Sequence, residues 1–166
     1  ATIQRRAFTD ANGQYFLEAL PTSALYFVVS QPGNTTAYGA KASDPVSALS
    51  PTTYTADLSF SGAQTSGALT LTITQASLPS EGTWGELRQN IPTGVSGTQF
   101  LIIRSQTAAT GVSQDQVGFT GVAPGIGIYG VTAERSTSGG TPVTKAAGSL
   151  VTVSSGATTQ VSISYP

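Results

Sequence analysis

The stretch Leu69-Thr70-Leu71-Thr72-Ile73-Thr74 places an apolar side chain at every second position, with a threonine after each. Successive side chains of a β-strand point to opposite faces, so this alternation predicts a strand with one buried and one solvent-facing side. Val161, Ile163 and Tyr165 alternate with serines in the same way near the end of the chain. Both stretches therefore predict sheets that cover an apolar core.

Similar runs recur along most of the chain. About eleven or twelve runs of β-branched and aromatic residues, separated by Gly, Pro, Ser and Asn, predict an all-β sandwich or barrel. Residues 98–104 are apolar throughout their middle, which predicts a central strand buried on both faces. Residues 41–49 predict at most one helical turn, because Pro45 interrupts them. The other predicted strands are 14–20, 25–30, 54–60, 84–89, 116–119, 128–134 and 149–153.

The chain is poor in charge. Asp, Glu, Lys and Arg make up 9% of its 166 residues, against roughly 25% of an average soluble domain, and the formal net charge is −1. Since net charge normally keeps proteins apart, this composition favours a subunit that packs against copies of itself. Hydrophobic residues, at 39%, suffice for a packed core.

Residue types needed for common chemistry are missing. The chain has no Cys and no His, which excludes disulfides, thiol catalysis and imidazole or thiolate metal sites. Basic residues are scattered apart from Arg5-Arg6, and no apolar run approaches a membrane span, so we expect no nucleic-acid partner and no membrane span. We expect neither enzymatic activity nor a cofactor. Because there is no Met, the chain is expected to be either a processed product or an excised fragment. A signal peptide removed before Ala1 is the simplest explanation, and it predicts an extracellular or cell-surface protein.

Two units are predicted along the chain. Residues 32–52 are punctuated by Pro, Gly and Asn and lack a pattern, so they predict a linker or long loop. Residues 1–52 then form an incomplete N-terminal unit with its linker, and residues 53–166 form a complete C-terminal unit. Residues 1–31 supply about three strands, too few to bury a core alone. Residues 136–142 predict an extended hairpin loop.

A short pattern occurs twice. Pro21 and Pro124 are each followed five residues later by a tyrosine, Tyr26 and Tyr129, and seven residues later by a valine. The repetition predicts two related sandwich units. A Phe-Thr pair also precedes each copy, Phe8-Thr9 and Phe119-Thr120.

These residues resemble a known family. The stretch TDANGQYFL at 9–17, with LP at 20–21 and YFV at 26–28, resembles the carboxypeptidase-regulatory-like domains. FTGVAPG at 119–125 with IYGV at 128–131 resembles the second half of that motif again. The resemblance implies an antiparallel, immunoglobulin-like or prealbumin-like β-sandwich that serves as a non-catalytic module of secreted and surface proteins. In that family a strand precedes the Thr-Asp hairpin, so the first unit here begins part-way into its fold.

The motif assigns structural roles to a turn and two corners. A hairpin turn is expected at residues 10–13, where Asn or Gly tolerates positive φ. The start of a calcium loop is the alternative there, but such a loop needs an acidic residue at its twelfth position, which is absent. Each proline is expected to open a corner that the following tyrosine fills. The turn and corner residues are Asp10, Asn12, Gly13, Pro21, Tyr26, Pro124 and Tyr129.

Glu81 and Glu86 flank the sole tryptophan, Trp84. A carboxylate pair beside an aromatic is typical of sugar hydrolases, but without a supporting polar cluster it predicts a solvated strand end. A lone Trp is expected in the core. The alternative is a carbohydrate-stacking platform, which would be a glycan site, with Tyr15, Tyr38 or Tyr54.

The sequence contains residues that are compatible with two covalent modifications. Asn34 with the two threonines that follow it fits the N-glycosylation rule. Lys41 or Lys145 could form an isopeptide bond with Asn12, Asn34 or Asn90. That bond also needs a buried catalytic acid, which no spacing indicates.

The leading hypothesis is a structural subunit of an extracellular filament, pilus or surface layer. Identical subunits would assemble by β-strand complementation, because an incomplete sheet accepts a strand from a neighbour. The exchanged segment is expected to be either residues 1–9 or the C-terminal strand, residues 158–165. The alternative is a binding or spacer module of a larger secreted protein, with carbohydrate adhesion as one form of it.

Overall fold

A computed structural model describes residues 6–22, 24–30, 39–48, 53–60, 62, 64–76, 82–92, 98–107, 113–135 and 141–166. Every regular element among these residues is a β-strand and none is a helix, which confirms the all-β prediction. The strands are β1 (Ala24–Tyr26), β2 (Val29–Ser30), β3 (Lys41–Ala42), β4 (Val46–Ala48), β5 (Gly67–Gln75), β6 (Thr83–Pro92), β7 (Thr98–Thr107), β8 (Gln114–Val122), β9 (Gly125–Arg135), β10 (Val143–Ala146), β11 (Val151–Val153) and β12 (Thr158–Tyr165).

The five-stranded sheet has the order β10-β9-β6-β7, and β11 also pairs with β9. All of its pairs are antiparallel. β9 and β10 form a hairpin in which Arg135 lies opposite Val143, so residues 136–142 connect them as predicted. Residues 136–140 themselves lie outside the described residues.

The three-stranded sheet has the order β12-β5-β8. β5 is antiparallel to β8 but parallel to β12, so this sheet is mixed. The prediction of a purely antiparallel sandwich is therefore wrong for this sheet. The reason is the route of the chain. It reaches β12 from the five-stranded sheet through residues 154–157 and not by a hairpin from β5, and parallel neighbours require such a crossover.

One apolar cluster is shared by both sheets. Leu69, Leu71 and Ile73 of β5 are fully buried, as their alternation predicts. Gly85 of β6 lies so close to the other sheet that a Cβ would be 2.7 Å from Leu71 Cδ2. The inward faces of the two sheets therefore pack directly against each other. The remaining buried members of the cluster are Leu87, Val117, Phe119, Val122, Tyr129, Val131, Ala133, Val153, Ile163 and Tyr165.

Two predictions for the sheets are wrong. Among the described strands β7 pairs only with β6, which places it at the edge of the sheet, whereas residues 98–104 are predicted to be central. A continuous apolar run does not by itself say how many neighbours a strand has. Trp84 is half-buried and outside the core cluster, because the inward positions of β6 are its sequence neighbours Thr83 and Gly85.

The first part of the chain forms two small antiparallel sheets, β1–β4 and β2–β3. Residues 41–48 contain β3 and β4 and not a helical turn. Residues 14–20 and 54–60, both predicted as strands, belong to no strand in the structure. Within the part of the chain that the structure describes, no strand lies beside either segment.

Candidate functional site

Exposed apolar side chains are concentrated before residue 61. Among the described residues, Phe8 is 85% and Phe16 64% exposed. Large apolar side chains left exposed in one part of a chain favour an interaction surface there. The exposed large hydrophobic residues are Phe8, Phe16, Leu25, Val29, Tyr54 and Phe60 in this part, and Val143 and Leu150 in the rest of the described chain.

The two small sheets leave backbone edges open. β1 pairs only with β4 and β2 only with β3 within the described part of the chain. Both edges of each sheet therefore present backbone groups with no described strand beside them. Open edges of this kind accept an additional strand.

Asp10 organises the turn that joins residues 6–9 to residues 14–20. Its carboxylate accepts hydrogen bonds from the amides of Asn12 at 2.8 Å and Gln14 at 2.9 Å. The Asp10 amide donates to the Gln14 carbonyl at 2.8 Å, and Gly13 has a φ of 76°. Asp10 and Gln14 are thus opposite residues of a tight hairpin turn. Among the described residues, no group of three or more His, Cys, Asp or Glu could hold a metal ion.

Two tyrosines close similar corners. The Tyr26 hydroxyl donates to the Pro21 carbonyl at 2.7 Å, and the Tyr129 hydroxyl donates to the Ala123 carbonyl. The first accepting carbonyl belongs to Pro21 itself, whereas the second belongs to Ala123, the residue before Pro124. Pro21 therefore corresponds in the structure to Ala123 and not to Pro124. Burial raises the pKa of Tyr129 to about 12.

The chain before each corner follows the same course. Two residues before each accepting carbonyl the backbone has a positive φ, 53° at Ala19 and 62° at Gly121. Residues 14–20 and 116–122 also share one alternation of inward and exposed positions. The inward positions are fully buried in the second segment but only half-buried in the first. They are Val117, Phe119 and Val122 in the second segment and Tyr15, Leu17 and Leu20 in the first.

Strand pairing after each corner matches as well. Tyr26 lies opposite Val46, and Tyr129 lies opposite Val151. β1 and β2 correspond to the start and the end of β9. The start of β9 pairs with β11, as β1 pairs with β4. The end of β9 pairs with β10, as β2 pairs with β3. Residues 14–48 therefore contain counterparts of β8, β9, β10 and β11. Among the described residues before β5 there is no counterpart of β5, β6 or β7.

Residues 53–60 correspond to β12. They follow β4 as β12 follows β11, and Ala56 and Leu58 are half-buried between exposed neighbours. The Tyr15 hydroxyl donates to the Ala56 carbonyl. Burial and the nearby Asp57 carboxylate raise the pKa of Tyr15. Since β5 lies between β8 and β12 in the C-terminal unit, the corresponding place beside residues 14–20 and 53–60 has no strand in the described chain.

Gln89 of β6 fastens the N-terminal unit to the five-stranded sheet. Its carboxamide accepts a hydrogen bond from the Ala40 amide at 2.8 Å and donates one to the Ala40 carbonyl at 2.7 Å. Gln89 is 5% exposed and Ala40 is half-buried, so both bonds are partly buried. A Cβ at Gly39 would lie 3.1 Å from Gln89 Nε2, which favours glycine at that position.

Other predicted sites are not brought together. Lys41 and Lys145 each donate to a backbone carbonyl at 2.7 Å. Glu86 forms an ion pair with Arg88 on the same strand. The structure thus shows no lysine–asparagine pair and no carboxylate pair among the described residues. Asn34, Tyr38 and Glu81 lie outside the described residues.

A polar cluster at one end of the core was missed by sequence reasoning. The buried Thr83 hydroxyl donates to the buried Asp115 carboxylate. Gln75 is 3% exposed, and its side chain has no hydrogen-bond partner among the described residues. The Arg135 guanidinium lies 5.3 Å from the ring centroid of Tyr165, whose pKa is raised by burial. Gln75 follows Leu69, Leu71 and Ile73 at the same spacing of two residues along β5. This spacing is the sequence feature from which its inward position is predictable.

Comparison with protein-family models, curated proteins and solved structures found no match to this chain. In the part of the chain that the structure describes, no helix has the length and apolarity needed to cross a membrane.

Proposed function

We propose that the chain is a structural subunit of an extracellular filament, pilus or surface layer, a homopolymer assembled by β-strand complementation. One observation supports this proposal above the others. Residues 14–20 repeat the alternation of β8, yet their inward side chains are only half-buried and no strand lies beside them among the described residues. A strand from a neighbouring subunit would bury those side chains and satisfy the adjacent backbone.

The surface composition supports the same function. A net charge of −1 and a charged fraction of 9% provide little electrostatic repulsion between copies. Phe8 and Phe16 add exposed aromatic area, and aromatic residues are enriched at protein interfaces. Burying two aromatic side chains contributes several kcal/mol, at about 25 cal/mol per Å² of apolar surface.

Of the two segments predicted to be exchanged, the N-terminal one is favoured. β12 pairs with β5 along its whole length, from Thr158 opposite Ala68 to Tyr165 opposite Gln75. Ile163 is also buried within its own chain. Donating β12 would break this pairing, whereas residues 6–9 belong to no strand and are exposed.

On this proposal each unit is an immunoglobulin-like or prealbumin-like sandwich. Connections between the two larger sheets occur at β5–β6, β7–β8, β8–β9 and β11–β12, a winding typical of Greek-key sandwiches. Residues 53–60 then belong with the incomplete unit, because Tyr15 and Lys41 both contact this segment.

Negative-stain electron microscopy and size-exclusion chromatography test the proposal. The full chain is expected to form regular filaments or sheets as its concentration rises. A uniform particle of monomer size at every concentration would contradict the proposal. That result would favour the alternative, a binding or spacer module, which glycan-array screening would then address.

A further inference from the structure

The hairpin turn at Asp10 sets the register in which residues 6–9 would pair with residues 14–20 of the same chain. We propose that residues 6–9 of a second copy add to this segment as an antiparallel strand, in the place that β5 occupies beside β8. This inference rests on the proposed function and adds to it the donor, the acceptor and their register. The partner is therefore another copy of this chain.

The register follows from the turn itself. Within one chain, the hydrogen bond between the Asp10 amide and the Gln14 carbonyl sets these residues opposite each other. In an exchange between identical copies the turn opens, and the segment makes with the second copy the contacts that it would make in its own chain. Antiparallel pairing then advances one residue on each side. Phe8 comes to lie opposite Phe16, and Arg6 opposite Glu18.

Both pairs are favourable across neighbouring strands. Aromatic pairs and opposite charges at directly opposed positions stabilise antiparallel strand pairing relative to alanine pairs. Arg6 and Glu18 carry opposite charges and are both exposed. Phe8 and Phe16 occupy the same outer face, since they are separated from the charged pair by two positions on each strand.

The direction of the added strand also matches the C-terminal unit. A strand that continues from the Asp10 turn runs antiparallel to residues 14–20, as β5 runs antiparallel to β8. β5 is at the same time parallel to β12, the counterpart of residues 53–60. A strand inserted beside residues 14–20 would therefore have the orientation that β5 has beside β8.

Within the single chain only the first pair of this register, Asp10 with Gln14, is formed. Residues 6–9 form no strand with residues 14–20, although the turn between them is in place. Phe8 and Phe16 are 85% and 64% exposed, and the Arg6 guanidinium lies 5.8 Å from the ring centroid of its own Phe8. An element that stays open in one chain and fits an open edge in an identical chain is suited to exchange between copies.

Cross-linking provides the test, because the chain contains no cysteine of its own. The double variant Arg6→Cys/Glu18→Cys is allowed to assemble and is then treated with a short thiol-to-thiol cross-linker. The control is Arg6→Cys/Thr120→Cys, since Thr120 of β8 corresponds to Glu18 but already faces Ala68 of β5. All three replaced residues are exposed, so circular dichroism is expected to show unchanged folds.

The expected result is a ladder of covalent multimers on a denaturing gel from the first variant and not from the control. Cross-linking confined to single chains would overturn the inference, because residues 6–9 would then close on their own chain. Filaments that form without a ladder, or with equal ladders from both variants, would overturn it while leaving the proposed function intact. If neither variant nor the natural sequence associates, the proposed function and this inference both fail.

Discussion

Replacing Tyr129 with phenylalanine removes the hydroxyl that closes the corner between β8 and β9. The ring is fully buried, and its hydroxyl donates to the carbonyl of Ala123, which is 3% exposed. The variant keeps the ring packing but leaves a buried carbonyl without this donor. An unsatisfied buried acceptor costs about 1–3 kcal/mol, so the free energy of unfolding is expected to fall by that amount. For a chain of this size the midpoint of thermal unfolding would fall by about 2–4 °C per kcal/mol.

The matched control is Tyr26→Phe, which removes the equivalent hydrogen bond in the N-terminal unit. The bond between Tyr26 and the Pro21 carbonyl is exposed to solvent, and water replaces it at little cost. The change in free energy of unfolding is expected to be within about 0.5 kcal/mol. Urea denaturation with equal slopes for all variants is the assay. Equal effects of the two substitutions, or a negligible effect of Tyr129→Phe, would refute the reasoning.

Three further predictions concern the core, the joint between units and the pH. Gly85→Ala is expected to cost about 1–3 kcal/mol by overpacking, whereas Gly118→Ala, with no atom within 4 Å of the added Cβ, is expected to be near neutral in urea denaturation. Gln89→Ala removes both bonds to Ala40, so amide exchange at Ala40 is expected to accelerate about tenfold, and an unchanged rate would contradict the assigned joint. The pKa of Tyr129 is raised from 10.0 to about 12 by burial, so its contribution to stability is fully present below pH 10 and is lost as the pH rises to about 12. This part of the pH dependence is expected to be absent from Tyr129→Phe, measured by denaturation between pH 8 and 12.

The sequence correctly predicts strands whose inward side chains are covered by the rest of the chain. β5 and β12 alternate strictly, and their inward residues Leu71 and Ile163 are buried as expected. Residues 54–60 alternate too but form no strand, because a pattern describes one segment and does not show whether its neighbours exist. The edge position of β7 and the parallel pairing of β12 likewise depend on the order of strands, which periodicity does not contain.

The repeated pattern was visible in the sequence only in part. The Pro-to-Tyr spacing is real, but the counterpart of Phe119 is Leu17 and not Phe8, so the two Phe-Thr pairs are not equivalent. Phe119 is buried in the core, whereas Phe8 is 85% exposed. Ala19 and Gly121 have matching positive φ values. The positive φ at Ala19 is not predictable from the sequence, because residues other than glycine seldom adopt one. Only the three-dimensional structure shows that Pro21 corresponds to Ala123.

Amide hydrogen exchange of residues 14–20, compared in the dispersed and the assembled protein, tests the central claim most directly. Residues 116–122 serve as the internal reference, because β8 is already paired with β5 in every chain. Strand addition at residues 14–20 predicts rapid exchange there in the dispersed chain and, after assembly, protection approaching that of residues 116–122. Assemblies in which residues 14–20 exchange as fast as in the dispersed chain would contradict it, because no strand would then have been added there.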